Sequence, residues 1–230
     1  MPIYKKVNKK FFKKWTKEMA YILGFFAADG YITVNRRNGQ YWCIQIKDGE
    51  LLNEIKKTIK STHTISLRKS KENANDLFRI QIGSIEMCDD LRRLGFNENK
   101  TKNMSIPKVP NKYFIDFVRG YFDGDGNVWV GLVKKGKNTR SWVIQTAFTS
   151  CSYNFLEKLR LRLDQIDVKK GVLRKTKKNA YRLVYSVFGS LKLYKLMYNR
   201  LYGSKLYLNR KKRVFEKYIK MKTIDNAVVV

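Results

Sequence analysis

Two spacings of apolar residues, one helical and one of strand type, follow each other along this chain in an order that recurs. After a basic start, residues 19–31 (MAYILGFFAADGY) form an apolar run that predicts a helix. YITVNRR and YWCIQIK then alternate with period two and are joined through Asn38-Gly39, which predicts a β-hairpin. Residues 50–60 return to helical spacing, with Leu51, Leu52, Ile55 and Ile59 on one face. A second hairpin follows, TISLRKS and LFRIQIG around ENAND, and then SIEMCDDLRRLG, a helix expected to end at Gly95. The order then starts again. Its parts are the run FVRGYFDGDGN, a hairpin of NVWVGLV and SWVIQTAFT around KKGKNTR, and a helix over residues 152–166. Phe155, Leu159, Leu163 and Ile166 of that helix are expected inward. GVLRKT and YRLVYSVF around KKNA make the last hairpin, and SLKLYKLMYNRL the last repeat helix.

The pattern predicts an α+β fold of two pseudo-symmetric αββαββα repeats. The first spans 1–96 and includes a basic N-terminal arm. Residues 97–112, with two of the three prolines and almost no periodicity, are the expected linker. The second repeat spans 113–222, with a basic C-terminal helix, and 223–230 is a frayed tail.

Strand alternation also sorts the faces. Ile32, Val34, Trp42, Ile44, Ile46, Leu67, Ile80 and Ile82 are expected inward, against Gln45, Lys47, Arg68, Arg79 and Gln81 outward. In the second repeat Trp142, Ile144, Leu173 and Leu183 go in, and Gln145, Arg174 and Arg182 out. Each repeat then offers a sheet with one apolar face and one face of Gln and Arg. Those side chains match adenine and guanine edges in a major groove. All four hairpin turns are basic, through Arg36, Arg37, Lys69, Lys71, Lys134, Lys135, Lys137, Arg140, Lys175, Lys177 and Lys178, as a grip on phosphate requires.

Charge sharpens this picture. Lys and Arg number 49 against 19 Asp and Glu, a net +30 over 230 residues, and so large an excess implies a polyanionic partner. The 43% hydrophobic content excludes a disordered chain. No lipidation motif, amphipathic anchor or run of ~20 apolar residues directs the charge to a membrane. Nucleic acid is therefore the expected partner. Six lysines interleave with Phe11, Phe12 and Trp15 in the first 16 residues, an arm or short helix laid along the body. Cys43, Cys88 and Cys151 lack paired spacing and fit reduced thiols better than a disulfide frame or a zinc site. The single histidine, His63, has no partner for a metal site or a triad. No signal peptide opens the chain, so the expected location is intracellular: cytoplasm, nucleoid or an organelle matrix, and not secreted.

The two apolar runs are copies of each other. Gly24 and Gly120, Asp29 and Asp125, and Gly30 and Gly126 each lie 96 residues apart. Small residues recur every fourth position, at Ala20, Gly24 and Ala28 and again at Gly120 and Gly124. Two such helices can approach backbone to backbone and bring Asp29 beside Asp125. Gly30 and Gly126 suit the left-handed position that ends a helix. Paired carboxylates repel in low dielectric, and a fold that keeps them needs a shared proton or divalent cations. The plainer reading is that each Asp only precedes a helix-ending glycine.

ILGFFAADG and VRGYFDGDG resemble the two nonapeptide motifs of the LAGLIDADG homing endonucleases, in the single-chain form that carries both. The lead-in SIPKVPNKYFIDFVRGYFDGDG is similar to the second motif of bacterial intron-encoded and intein-encoded members. The resemblance implies that Asp29 and Asp125 are catalytic acids at a divalent metal, Mg²⁺ or another such as Mn²⁺, with Gly30 and Gly126 beside them. The sixth motif position, often acidic in that family, is Ala27 in one copy and Asp123 in the other. The implied protein is a monomeric, site-specific endonuclease with saddle-shaped sheets. It would cleave both strands of a long, near-asymmetric duplex target across the minor groove, leaving short 3′ overhangs. The basic or amide group that the family places near each scissile phosphate is carried to Gln45, Gln145, Arg68 and Arg174. The alternative is a non-cleaving nucleic-acid binder on the same fold, such as an intron RNA maturase or a DNA-binding regulator. Loss of the motif acids would mark decay, and both are present. A maturase can keep them, so intron RNA stays open as a partner.

Overall fold

The computed structural model describes residues 5–69, 76–98, 103–134, 136, 140–177, 179–199 and 203–227. The chain packs as two units, Met1–Gly124 with Ser204–Tyr207, and Asp125–Gly203 with Leu208–Val230. In the first unit the order is α1 (Lys17–Asp29), β1 (Gly30–Val34), β2 (Gln40–Ile46), α2 (Gly49–Thr58), β3 (Ile65–Arg68), β4 (Leu77–Gly83), α3 (Ile85–Arg93) and α4 (Asn111–Asp125). The second unit has β5 (Gly126–Lys134), β6 (Arg140–Ser150), α5 (Tyr153–Asp164), β7 (Val172–Lys175), β8 (Tyr181–Tyr185), α6 (Val187–Tyr198) and α7 (Asn209–Ala227). Each unit holds a four-stranded antiparallel sheet, ordered β1-β2-β4-β3 and β5-β6-β8-β7. The α+β order expected from the apolar spacing is therefore the order observed, although α4 opens the second repeat in sequence and packs with the first unit up to Gly124.

Local chemistry sets the element ends. The hydroxyls of Thr16, Ser84 and Ser152 accept from the backbone N–H three residues on, at 3.0, 3.3 and 3.2 Å, and so cap α1, α3 and α5. The β1–β2 turn has Asn38 at φ 58°, with Asn35 Oδ1 accepting from the N–H groups of Arg37 (2.9 Å) and Gly39 (2.7 Å). Asn35–Arg37 thus belong to the turn and not to the strand.

The core of the first unit lies between one sheet face and its helices. Trp42, Ile44, Ile80 and Ile82 are buried with Leu52, Ile55, Met87 and Leu91. Phe26 meets Trp42 and Phe96 edge-on, at 6.2 and 5.6 Å between ring centres. Phe96, Met104 and Val109 are buried, so the expected linker is fixed to this unit by its apolar residues. The basic arm is a strap. Asn8 N–H donates to the Ile59 carbonyl (3.0 Å), Thr62 N–H to that of Lys6 (2.9 Å), and Phe12 lies edge-on to Trp42 at 5.4 Å.

Several expectations are corrected. Leu67 and Val34 are exposed, because both sit on edge strands with a neighbour on one side only. Ile166 is exposed as well. α5 stops at Asp164, the left-handed Asp167 (φ 67°) turns the chain, and Val168 takes the buried place as its N–H donates to the Leu163 carbonyl (2.9 Å). α6 starts at Val187 and not at Ser190, since Ser186 is extended and Ser190 Oγ donates back to the Tyr185 carbonyl at 3.0 Å. Phe188 therefore sits in a helical turn instead of a strand. α7 continues to Ala227, past the expected start of fraying at residue 223. Gly30 is not left-handed: at φ −92°, ψ 160° it is extended and opens β1. It is needed for space, because a Cβ there would run into the Phe26 ring. Gly126 likewise opens β5.

The close approach expected of the small-residue faces is present inside the first unit. A Cβ on Gly24 would collide with the Phe117 carbonyl oxygen and lie 2.9 Å from Tyr121 N. A Cβ on Gly120 would collide with the Tyr21 carbonyl oxygen and lie 2.9 Å from Phe25 N. Neither obstacle is a flexible side chain that could move aside. Gly24→Ala and Gly120→Ala should each lower stability by about 1–3 kcal/mol through overpacking, read as a drop in urea midpoint at unchanged slope. Unchanged midpoints would mean that the helices are not held at this distance.

Candidate functional site

The α1–α4 contact runs on to the ends of the two helices. A Cβ on Gly124 would overlap that of Ala28 and lie 2.9 Å from Asp29 Oδ2. Gly124 thereby keeps clear the space against the Asp29 carboxylate. Asp29 is half-buried as the last residue of α1, and Asp125, the residue after Gly124, is exposed. Asp123 is different: it is 2% exposed and accepts from the Tyr21 hydroxyl at 2.7 Å, a bond that ties α4 to α1.

Two further groups near the motifs were not singled out by sequence. In the first unit Asp116 and Arg119 form a buried ion pair (3.1 Å). Arg119 Nη2 also donates to the Ser204 carbonyl (2.6 Å), and Ser204 N–H donates to Asp116 Oδ1 (2.8 Å). The guanidinium lies over the Tyr21 ring, 5.4 Å from its centre. This network clamps the 204–207 stretch to α4. Its signal was an oppositely charged i,i+3 pair inside an apolar run. In the second unit Lys211, only 7% exposed, donates from Nζ to the Gly126 carbonyl at 2.6 Å, one residue beyond Asp125. It is hidden in the cationic string NRKKR, yet it shares a helical stripe with the buried Phe215 and Tyr218.

The sheet faces away from the core gather the expected nucleic-acid contacts, since residues directly opposite on paired strands share a face. In the first unit Gln45 pairs with Arg79, which pairs with Ser66, and Gln81 pairs with Cys43. Arg68 pairs with Leu77 at the edge. Tyr31 hydrogen-bonds to Arg79 and Cys43, and burial above all pushes its hydroxyl pKa up. Burial likewise raises the Cys43 thiol, although Tyr31, Arg79 and Arg68 oppose the rise. Arg36, Arg37, Lys47 and Lys69 are exposed. His63 is buried, with Nδ1 2.9 Å from Ser61 Oγ, and burial, then Lys5 and Lys56, depresses its pKa. It lines a cleft with Lys5, Tyr41, Thr64, Arg79 and Gln81.

In the second unit Gln145 is exposed opposite Trp129, and Arg174 and Arg182 stand directly opposite each other beside Thr149. Lys134 and Arg140 pair at the tip of the β5–β6 ribbon, and Lys175 pairs with Tyr181. By register these three lie on the core side, at strand ends where they remain exposed. Lys135 lies outside the described residues. Among the described residues, none of the strands contains an Asp or Glu.

No group of three or more His, Cys, Asp and Glu side chains able to hold an ion occurs among the described residues. The Asp29 carboxylate offers oxygen donors of the kind that Mg²⁺ favours. The clearance that Gly124 leaves against Asp29 Oδ2 is compatible with this. No helix among the described residues is long and apolar enough to cross a membrane.

Comparison with known proteins agrees with this architecture. Residues 16–95 match the family model of a LAGLIDADG-like domain. The LAGLIDADG meganuclease I-AabMI bound to uncleaved DNA is 15% identical, with 90% of this chain and 91% of that chain covered and a TM-score of 0.61. The I-LtrWI LAGLIDADG homing endonuclease bound to target DNA is 17% identical, covering 94% of this chain and 92% of that one at a TM-score of 0.59. I-SmaMI, bound to an uncleaved DNA target in the presence of calcium ions, is 13% identical, covering 92% and 93% at 0.59. None of the curated proteins matches the chain in sequence. The chain carries a LAGLIDADG-like domain and has the fold of the LAGLIDADG homing endonucleases, so the resemblance read from its two nonapeptides is borne out.

Asp116→Ala would leave the Arg119 guanidinium buried without its counter-charge and should cost about 3–5 kcal/mol. Chemical denaturation measures this, and a loss under ~1 kcal/mol would mean that the pair behaves as an exposed one.

Proposed function

We propose that this protein is a monomeric, site-specific double-strand DNA endonuclease, with Asp29 and Asp125 as its catalytic acids. The observation that carries the reading is the glycine contact between α1 and α4, which sets the Asp29 carboxylate against Gly124, the residue before Asp125. The DNA-bound proteins of the same fold support the substrate class. So does the cross-strand pairing of Arg174 with Arg182 and of Lys134 with Arg140. Like charges directly opposite each other destabilise a sheet, and a polyanion relieves them.

Asp29 and Asp125 would hold a divalent cation, Mg²⁺ or Mn²⁺. When bound, such an ion supplies polarisation of the scissile phosphate and activation of a water. Lys211, held on the Gly126 carbonyl, supplies fixed positive charge beside the second acid for the charge that develops on phosphate. Gln45 and Gln145 offer amides that can orient water or phosphate. Arg68, Arg79, Gln81, Arg174 and Arg182 contact bases, and Arg36, Arg37, Lys47, Lys69, Lys134, Lys135, Arg140 and Lys175 contact the backbone. Gly30 and Gly126 keep the backbone beside each acid free of side-chain bulk.

Asp29→Asn and Asp125→Asn should each reduce Mg²⁺-dependent cleavage by about two orders of magnitude or more. Duplex binding in Ca²⁺ should be kept or tightened, since a carboxylate–phosphate repulsion is removed. Asp123→Asn should be far milder, because an amide oxygen still accepts from Tyr21. Cleavage on a plasmid library beside a binding assay reads all three. Full cleavage by both motif variants would overturn the assignment. Binding of intron RNA without cleavage of any duplex by the native protein would favour the maturase reading. Affinity should fall with salt at a log–log slope of roughly −0.9 per phosphate neutralised. A flat salt dependence would remove phosphate from the interface.

A further inference from the structure

The outward faces of the two sheets differ in chemistry. In the first unit that face carries Tyr31, Tyr41, Gln45, Arg79 and Gln81. In the second, β8 pairs β6 only from Thr146 to Ser150, so the rest of β5 and β6 continues as a two-stranded ribbon. The outward row of that ribbon is Trp129, Gly131, Val133, Ser141, Val143 and Gln145, apolar apart from one hydroxyl and one amide. Trp129 is 49% exposed on a strand where its neighbours Val128 and Val130 are turned the other way. Its indole lies along the strand over Gly131. A Cβ there would run into the six-membered ring and sit 2.9 Å from Trp129 Cε2. Glycine at 131 therefore lets the ring lie flat and hold one orientation while its outer surface stays open.

An exposed, pre-oriented indole on a protein of charge +30 calls for a partner that is anionic outside and apolar at one defined place. A two-stranded ribbon fits the major groove of B-form DNA, and the apolar group displayed there is the thymine C5-methyl. We propose that Trp129, cradled by Gly131 and flanked by Gln145, is a specificity residue that recognises thymine by its methyl group in the half-site read by the second unit. The inference rests on the proposed function, in that the sheets must meet duplex DNA. RNA lacks this methyl, and its A-form major groove is too deep and narrow for side chains to read. The same surface thus discriminates against RNA.

The test begins by selecting bound duplexes from a random library with the full-length protein. Each thymine of the selected site is then replaced singly by deoxyuridine, which removes the methyl and leaves every hydrogen-bonding group. At one or two positions in one half-site, the native protein should lose about fourfold in affinity, the factor given by ~0.8 kcal/mol per buried methyl. Trp129→Ala should bind thymine and deoxyuridine probes alike there and keep the native salt slope, while Trp129→Phe keeps part of the preference. Melting temperatures of the variants report folding, and the part of the indole quenching by duplex that Trp129→Phe removes gives a second readout on the folded protein. Deoxyuridine tolerated everywhere, or penalised equally in Trp129→Ala, would overturn the inference while leaving DNA binding intact. Failure to retain any duplex, or tighter binding to the RNA version of the site, would overturn it together with the proposed function.

Discussion

The contact of backbone on backbone between α1 and α4 is the constraint on which the motif region depends. Glycine inside a helix costs about 1 kcal/mol relative to alanine, and Gly24 and Gly120 are both buried in helix interiors. What returns that cost is proximity: each glycine sits against the other helix where no Cβ could fit. With bulk excluded from the contact, the large side chains must fill other directions. Tyr21, Phe25, Phe26, Phe117, Tyr121 and Phe122 are all fully buried around the pair. A pair so tightly registered along its length also fixes its ends, and Asp29 is at one of them. The same residues that pack the unit therefore position the carboxylate.

Charge is partitioned as strictly as bulk. Most of the acids that enter ion pairs, among them Glu54, Asp89, Asp90, Glu157 and Asp164, lie on helices and pair with cations three or four residues away, whereas Glu98 and Asp167 pair from outside the helices. Such pairs contribute little stability when exposed. Their consequence is distributional: α1 to α5 each lie within one unit charge of neutral, while the strands and the two C-terminal helices keep an excess of Arg and Lys. Net charge alone would not say where a polyanion docks. Among the described residues the strands hold no acid, so the positive field of their Arg and Lys is not offset within the sheets.

The helix–hairpin–helix order was legible because it rests on local periodicity, and the motif glycines were legible because they repeat. The misses have physical causes. Alternation assigned Leu67 and Val34 to a face correctly, yet a face near a sheet edge is not a core. Ile166 continued the helical spacing, but a left-handed Asp167 ended the helix first and gave the buried place to Val168. Asp-Gly suggested a left-handed cap at Gly30, while the Phe26 ring, invisible to a dipeptide rule, was the reason for the glycine. Lys211 lay inside a run of cations, where only its phase with Phe215 and Tyr218 distinguishes it. The network of Asp116, Arg119 and Ser204 joins residues more than eighty positions apart, beyond the reach of any local pattern.

The difference between the two motif copies also has a structural account. Among the places where the copies differ are the sixth position, where Ala27 stands against Asp123, and a place six residues earlier, where Tyr21 stands against Phe117. These two disagreements are one feature. Asp123 is buried, and the hydroxyl that satisfies it belongs to Tyr21, so the acid of one copy is matched by the phenol of the other. The mirrored pair would be residue 27 with residue 117, and Phe117 has no hydroxyl to donate. An acid at position 27 would enter a buried place without its counterpart, at the cost of an unsatisfied carboxyl group. Alanine there and aspartate at 123 are thus both what the packing allows. The sixth-position acid therefore belongs to the architecture of the helix pair, fixed there by the hydroxyl of Tyr21.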